Sequence, residues 1–474
     1  MRLIALSLLL PLAIAHVGAA QTPSSPIGVS IERVSPDVWT ATITTDHPVT
    51  TLAFVRSGDD NRIGSWQVMT EGVALRRFDR TDALVSDVAV NEISIRINAT
   101  AVERGDDYTP FVAIPNAANP GRAMAVYSYY FQVSPTDLPS LENGVLSDDL
   151  IAPAHQFRFV DGAGSDVVFA GEPVQADDRI TMTGGVGAYA VFGAPPRQSG
   201  ANFNSLVSAG LPTRMIDQIL NTVPEAINAL QTALEVELDH TPSLIITRRP
   251  SERAGIYFRG GAMTSDIVME LEGDALDDPE FVRNNRGRIT ALVIHELAHL
   301  WNGGLVQNTD PNAAWIHEGG AEALSWEALT TVFSMDASYS MSNYQSAIEG
   351  CAAYLSEGGL AEAIDRGQRR AHYECGATIM LALSSALSPE DRAAGLSILW
   401  PTFIENSQSR NAGTYDAALF LATFAELGGA EQVRIWVRDI EAGQFEDPAA
   451  FLVRGLMAAG IEISLVDGVP VLGA

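Results

Sequence analysis

Two histidines four residues apart, inside an apolar run, constrain this chain more than any other feature. The run reads Ala291-Leu292-Val293-Ile294-His295-Glu296-Leu297-Ala298-His299-Leu300-Trp301. On a helix of about 3.6 residues per turn, positions four apart share a face. His295 and His299 therefore point at one place, and neutral imidazole is a common zinc ligand. Glu296 follows the first histidine; in this H-E-x-x-H pattern it polarises the attacking water rather than binding metal. A catalytic zinc takes three protein ligands and keeps one position open. The pattern thus demands a third ligand on a second element folded back against the first.

Downstream comes Trp315-Ile316-His317-Glu318-Gly319-Gly320-Ala321-Glu322, with eighteen residues, Leu300 to His317, between His299 and Glu318. Asp310-Pro311 reads as an N-cap followed by proline at the first helical position. That places Glu318 about two turns into a second helix. The Gly- and Asn-rich loop 302–309 lets this helix fold back on the first. Gly319 and Gly320 each cost about 1 kcal/mol of helix propensity, which close approach of two helices at a metal explains. Glu322, one turn beyond Glu318, is placed to orient a ligand histidine from the outer shell.

HELAHLW, eighteen residues, then WIHEGGAEAL resembles the gluzincin metallopeptidases of the aminopeptidase N family, whose pattern is HExxH-x18-E with the glutamate in a W-x-x-E-G context. The resemblance implies a thermolysin-like α/β catalytic domain and a peptide substrate. It implies one Zn2+ per chain on His295, His299 and Glu318, with Glu296 as general base. The family's Y-E-K-G-A segment corresponds to Tyr373-Glu374-Cys375-Gly376-Ala377, which implies that Tyr373 stabilises the oxyanion; Cys375 stands where the family has lysine. Its G-x-M-E-N segment corresponds to Gly261-Ala262-Met263-Thr264-Ser265, which implies that Gly261, Ala262 and Met263 bind substrate. Thr264 stands where the family's glutamate holds the substrate's free amine. Three readings stay open: a zinc aminopeptidase, a zinc endopeptidase or amidase using the same site, and an inactive binding protein on a peptidase scaffold. The resemblance spans about residues 200–430.

The chain has 474 residues, and all 29 of its basic residues are arginine against 58 acidic ones, for a formal net charge of −29. Such a surface repels nucleic acid. Residues 1–20 carry Arg2, an apolar run Leu3–Ile14 and small residues before Gln21. That is the pattern of a secretory signal, and no later stretch has the length and apolarity of a membrane span. An exported protein, periplasmic or secreted, is expected. In such a compartment the only two cysteines, Cys351 and Cys375, are expected to bridge. Of eight histidines, His295, His299, His317 and His372 fall in the catalytic stretch. His317 and His372 flank a ligand and the tyrosine, and read either as satisfied structural residues or as substrate contacts.

The expected fold is α+β and multidomain. Residues 21–195 show short apolar alternations broken by turns: Val38–Thr45, Thr51–Val55, Glu92–Ile97, Met124–Val133, Gln156–Val160 and Tyr189–Phe192. This spacing predicts an antiparallel β-rich domain. Thr183–Gly187 reads as a hairpin turn and Pro195–Gly200 as a linker. Residues 201–335 are the expected zinc-binding catalytic domain, with a helix over Met215–Val236, strands at Ser243–Thr247 and Ile267–Leu271, and metal helices over about 287–302 and 311–332. Residues 336–474 are expected to be helical and to complete the active site, with helices over Gln345–Ser356, Ala371–Leu387, Tyr415–Leu427 and Ala449–Ala459. A closing hairpin is expected at Ile463–Leu472.

Overall fold

The computed structural model describes residues 25–57, 61–99, 110–114, 123–145, 150–183, 186–249, 253–443 and 445–473. The expected signal, the centre of the Gly184-Gly185 turn and Thr100 of the Asn98-Ala99-Thr100 sequon lie outside them.

The β-rich half is built from two sheets. One has eight strands among the described residues, in the order Ile180–Met182, His155–Asp161, Ile27–Arg33, Val38–Phe54, Thr81–Asn98 and Trp66–Val68, with Val73–Phe78 and Val133–Pro135 branching off. The other has five, from Glu172–Val174 to Phe111–Ile114. Alternating apolar residues on Ile27–Arg33 and His155–Asp161 face inward, as a period of two requires. These two strands pair in parallel, unlike the antiparallel arrangement expected. Alternation reports which face is buried but carries no strand direction, and the intervening chain supplies the long crossover that a parallel pair needs. The segments expected at Val38–Thr45 and Thr51–Val55 form one strand, Val38–Phe54, whose register shifts between Thr44 and Thr51 around Pro48. A bulge is where a strand tolerates a residue without an N–H. Met124–Val133 is not one strand: a 3-10 turn over Ser128–Phe131 interrupts it.

A third sheet carries the site. Its order is Gln198–Ser199, Asn204–Val207, Ser243–Arg249, Asp266–Glu272 and Tyr257–Ala262, with the last strand on the edge. The stretch expected as a linker thus contributes a short strand. The central strands pair in parallel and are buried on both faces, which is why their sequences read as continuous apolar runs. Leu206, Ile245, Met263 and Val268 pack into the core of the β-rich half. Leu244, Ile246, Ile267 and Met269 pack against the helices on the other face. Asp266, fully buried where these halves meet, accepts a hydrogen bond from Tyr189 N–H at 2.7 Å; burial raises its carboxyl to about 7.

The rest is helical, from Ala314–Thr331 and Ala337–Leu355 through Arg370–Leu387 and Arg392–Arg410 to Pro448–Ala458. It closes on the expected hairpin, Ile463–Val466 and Val469–Leu472, whose turn residues Asp467 and Gly468 have φ of 51° and 81°. A Cys351–Cys375 disulfide ties the helix Ala337–Leu355 to Arg370–Leu387. No helix of the described residues is long and apolar enough to cross a membrane.

Candidate metal centre and active site

The first histidine helix runs from Arg286 to His299 and then widens into a π-helical turn over Leu300–Leu305. Asp310 caps a 3-10 turn at Pro311–Ala313, and the second helix begins at Ala314. Glu318 therefore sits one turn into that helix, with the capped turn supplying the rest of the expected distance. The helices bring three atoms together. His295 Nε2 and His299 Nε2 lie 3.2 Å apart, and Glu318 Oε2 lies 3.5 Å and 3.4 Å from them. All three side chains offer a ligand atom within 4.8 Å of the others.

Glu318 Oε2 and His295 Nδ1 are buried with no hydrogen-bond partner. Burial opposes charge on His295, yet Glu318, Glu322 and Glu296 hold its imidazolium up to about 9. Burial also opposes ionisation of Glu318, yet the two imidazoles hold its carboxyl well below the usual range. A pocket that draws protons onto a buried histidine is a pocket that favours a cation. Two imidazole nitrogens and one carboxylate oxygen are a donor set that fits zinc.

Glu296 is buried beside these ligands, and burial raises its carboxyl while His295 and His299 oppose the rise. Its carboxylate lies against Gly260 on the edge strand: a Cβ there would sit 1.9 Å from Glu296 Oε1. Tyr373 stacks its ring on His295, centroids 5.8 Å apart at 12°. Burial, followed by the charges of Glu318 and Glu296, pushes its hydroxyl pKa far up, so it stays a proton donor. His295, Glu296, Glu318 and Tyr373 line one cavity of about 870 Å³ together with Gly260, Gly261 and Glu322.

Residues 254–428 match the peptidase family M1 domain. This stretch is a peptidase family M1 domain. A segment of 85 residues is 35% identical to Aminopeptidase 2 of Candida albicans (strain SC5314 / ATCC MYA-2876), covering 18% of this chain and only 9% of that relative's length. The solved structure of an aminopeptidase N family protein from Idiomarina loihiensis is similar with a TM-score of 0.63 at 11% identity, covering 90% of this chain and 78% of that one. Native yeast LTA4 hydrolase gives 0.51 at 13%, covering 88% and 69%. At such identities the likeness is one of fold, and it extends well beyond the M1 domain into the β-rich half.

Within the M1 domain the paired glycines do mark close approach of helices, but of other helix pairs than the one carrying the three candidate ligands. A Cβ on Gly319 would lie 2.2 Å from the Gly376 backbone, and one on Gly320 2.3 Å from Trp400. Gly319 is thus pressed against the helix carrying Tyr373, and Gly320 against Trp400 on the helix Arg392–Arg410, rather than against the helix carrying the histidines. Glu322 Oε2 stands 3.8 Å from His295 Nδ1, a charge neighbour too distant for a hydrogen bond. The expected substrate residues are split. Gly261 lines the main cavity, whereas Ala262 and Met263 line a second one of about 310 Å³ with Thr264 and His317.

Asn302 was not foreseen. Its Oδ1 accepts from His299 Nδ1 at 3.0 Å, and its Nδ2 donates to the His317 carbonyl at 2.8 Å. The first bond fixes the His299 tautomer with Nε2 free for a metal. Tyr415 donates to the Asn302 carbonyl at 3.0 Å and holds the turn. An amide three residues after the second histidine was the available signal. Gly260 and the two cavity-lining residues from the β-rich half, Val112 and Tyr189, left no mark in sequence, because each depends on a tertiary approach.

Proposed function

We propose that this protein is a zinc-dependent peptidase that removes residues from the free amino end of peptides, with one zinc per chain. The observation that carries the reading is the convergence of His295, His299 and Glu318 beside a buried Glu296 on the wall of a large cavity. Zinc bound there supplies Lewis acidity to a water and to the scissile carbonyl. Glu296, held against Gly260, takes the water's proton on a carboxylate oxygen and delivers it to the leaving amine. Tyr373 donates its hydroxyl proton in a hydrogen bond to the developing oxyanion. Asn302 keeps His299 in the tautomer that leaves Nε2 free.

A second reading, an endopeptidase at the same centre, is favoured by Thr264. That residue brings no carboxylate for a substrate amine. Elemental analysis followed by assay of one peptide with a free and a blocked amine tests both readings. Cleavage of only the free form supports the first, and cleavage of both supports the second. A zinc-loaded protein that cleaves neither refutes the peptidase reading and leaves the binding-protein alternative. We further propose export to the periplasm or medium. The apolar leader at 1–20 and a disulfide, which persists in oxidising compartments, support it. A chain beginning at Met1 in the purified native protein refutes it.

A further inference from the structure

His372 is 2% exposed, yet neither ring nitrogen has a hydrogen-bond partner. Among the buried histidines of the described residues His372 alone has both ring nitrogens without a partner; His295, a candidate ligand, has one such nitrogen. His155 accepts from Val133 N–H at 2.9 Å and bonds the Pro153 carbonyl at 2.8 Å. His317 donates to the Asn302 carbonyl at 3.1 Å and stacks on His299, centroids 4.0 Å apart. His299 holds Asn302. Buried polar groups without partners are few in folded proteins, and each calls for an explanation.

The place of His372 supplies one. It precedes Tyr373 on the helix Arg370–Leu387 and lines the main cavity with Ala314 and Glu318. Ala314 also lines the second cavity, so His372 shares a cavity wall with Glu318 and with a residue that borders both cavities. A chain lying across the centre passes this wall. Both ring nitrogens are screened from bulk water, so solvent does not compensate them. Rotation about the imidazole's Cβ–Cγ bond is soft and turns a nitrogen towards an arriving partner. Neutral imidazole offers one donor and one acceptor, and a main-chain peptide unit offers the same pair.

We propose that His372 is a substrate-binding residue whose imidazole hydrogen-bonds a main-chain peptide unit of the bound substrate. The proposal rests on the peptidase reading above. It separates His372 from His317, which its own fold already satisfies.

The test uses the full zinc-loaded chain. In a Glu296→Gln background, calorimetry measures the affinity for an uncleaved peptide. Adding His372→Phe is expected to weaken that affinity about ten- to hundredfold, with zinc content unchanged and melting temperature unchanged or raised. His372→Asn, which keeps a donor and an acceptor, is expected to recover part of the loss. In the otherwise native enzyme, His372→Phe lowers kcat/KM by a similar factor across peptides that differ only in side chains. The Cε1–H NMR resonance that His372→Asn removes should shift when peptide is added, which reads the same contact if the Phe variant does not fold. Affinity and kcat/KM within twofold of the parent overturn the proposal. A loss confined to peptides with hydrogen-bonding side chains overturns the main-chain assignment. A fallen melting temperature with normal kcat/KM makes His372 a packing residue and overturns it too. If the zinc-loaded native chain neither binds nor cleaves any peptide, the underlying peptidase reading has failed instead.

Discussion

Gly260→Ala is the sharpest probe of how the base is held. Gly260 lies in the edge strand Tyr257–Ala262 at a negative φ, so alanine suits its backbone. The new methyl would sit 1.9 Å from Glu296 Oε1 and 2.1 Å from Cδ. Ordinary contact begins near 3.4 Å, so the carboxylate must retreat by about 1.5 Å. A base works within about 2.6–3.2 Å of the proton it takes, and a 1 Å error in placement can cost about a hundredfold. The expected loss in kcat is therefore about 10²-fold, or about 2.7 kcal/mol of barrier. The ligands do not move, so zinc content should hold. The clash falls on the end of a flexible side chain, so melting temperature should change little. The assay is kcat, KM, zinc and melting temperature on one preparation, with Glu296→Gln and the double variant alongside. Both substitutions act through one carboxylate, so the double variant should be no slower than Glu296→Gln alone. A kcat within threefold of native, or losses that multiply, would refute the argument.

Tyr373→Phe should cut kcat by about 10²–10³ with little change in KM; a stable variant with native kcat would make the stacked ring a packing element. Asn302→Ala releases the His299 tautomer and should weaken zinc affinity about 10- to 100-fold in chelator competition, and unchanged affinity would remove Asn302 from that role. Asp266 has a folded pKa of about 7 against 3.8 for the free carboxyl, so its contribution is full below about pH 4 and is lost as pH rises through 7. Asp266→Asn keeps an acceptor for Tyr189 N–H and should flatten that decline, by at most roughly 4 kcal/mol between pH 4 and 8; parallel stability profiles for the two proteins would contradict it.

Element type was legible where local pattern decides it. Tyr189–Phe192 and the hairpin at Ile463–Leu472 lie where alternation and an Asp-Gly turn place them, and the helix Thr213–Leu234 lies within two residues of its 3.6-period stripe. What failed to show was pairing. Nothing in Ile27–Arg33 announces a parallel neighbour at His155–Asp161, and Gln198–Ser199 is too short for its period to register before Asn204–Val207 pairs with it. The aromatic run Ser128–Phe131 looks like strand because apolar content alone does not separate a strand from a buried turn.

The centre divides along the same line. His295, His299 and Glu318 could be read because helix geometry converts spacing directly into direction, so two residues four apart and a third on a returning helix meet. Everything that tunes them comes from elsewhere in the chain. Glu296 is set by a glycine on an edge strand 36 residues earlier, and Tyr373 by the Gly319–Gly376 contact between two helices. The substitution of Cys375 for the family's lysine shows why motif letters are an incomplete guide. In this chain Cys375 anchors the tyrosine helix to Ala337–Leu355 through Cys351, so a covalent tether stands at the position of a charge. A helix fixed at that point, and closely packed through Gly319 and Gly376, leaves Tyr373 little freedom to shift away from His295. The departure in the motif therefore preserves the placement of the hydroxyl, and reduction of the disulfide should loosen that placement before it disturbs the ligands, which belong to two other helices.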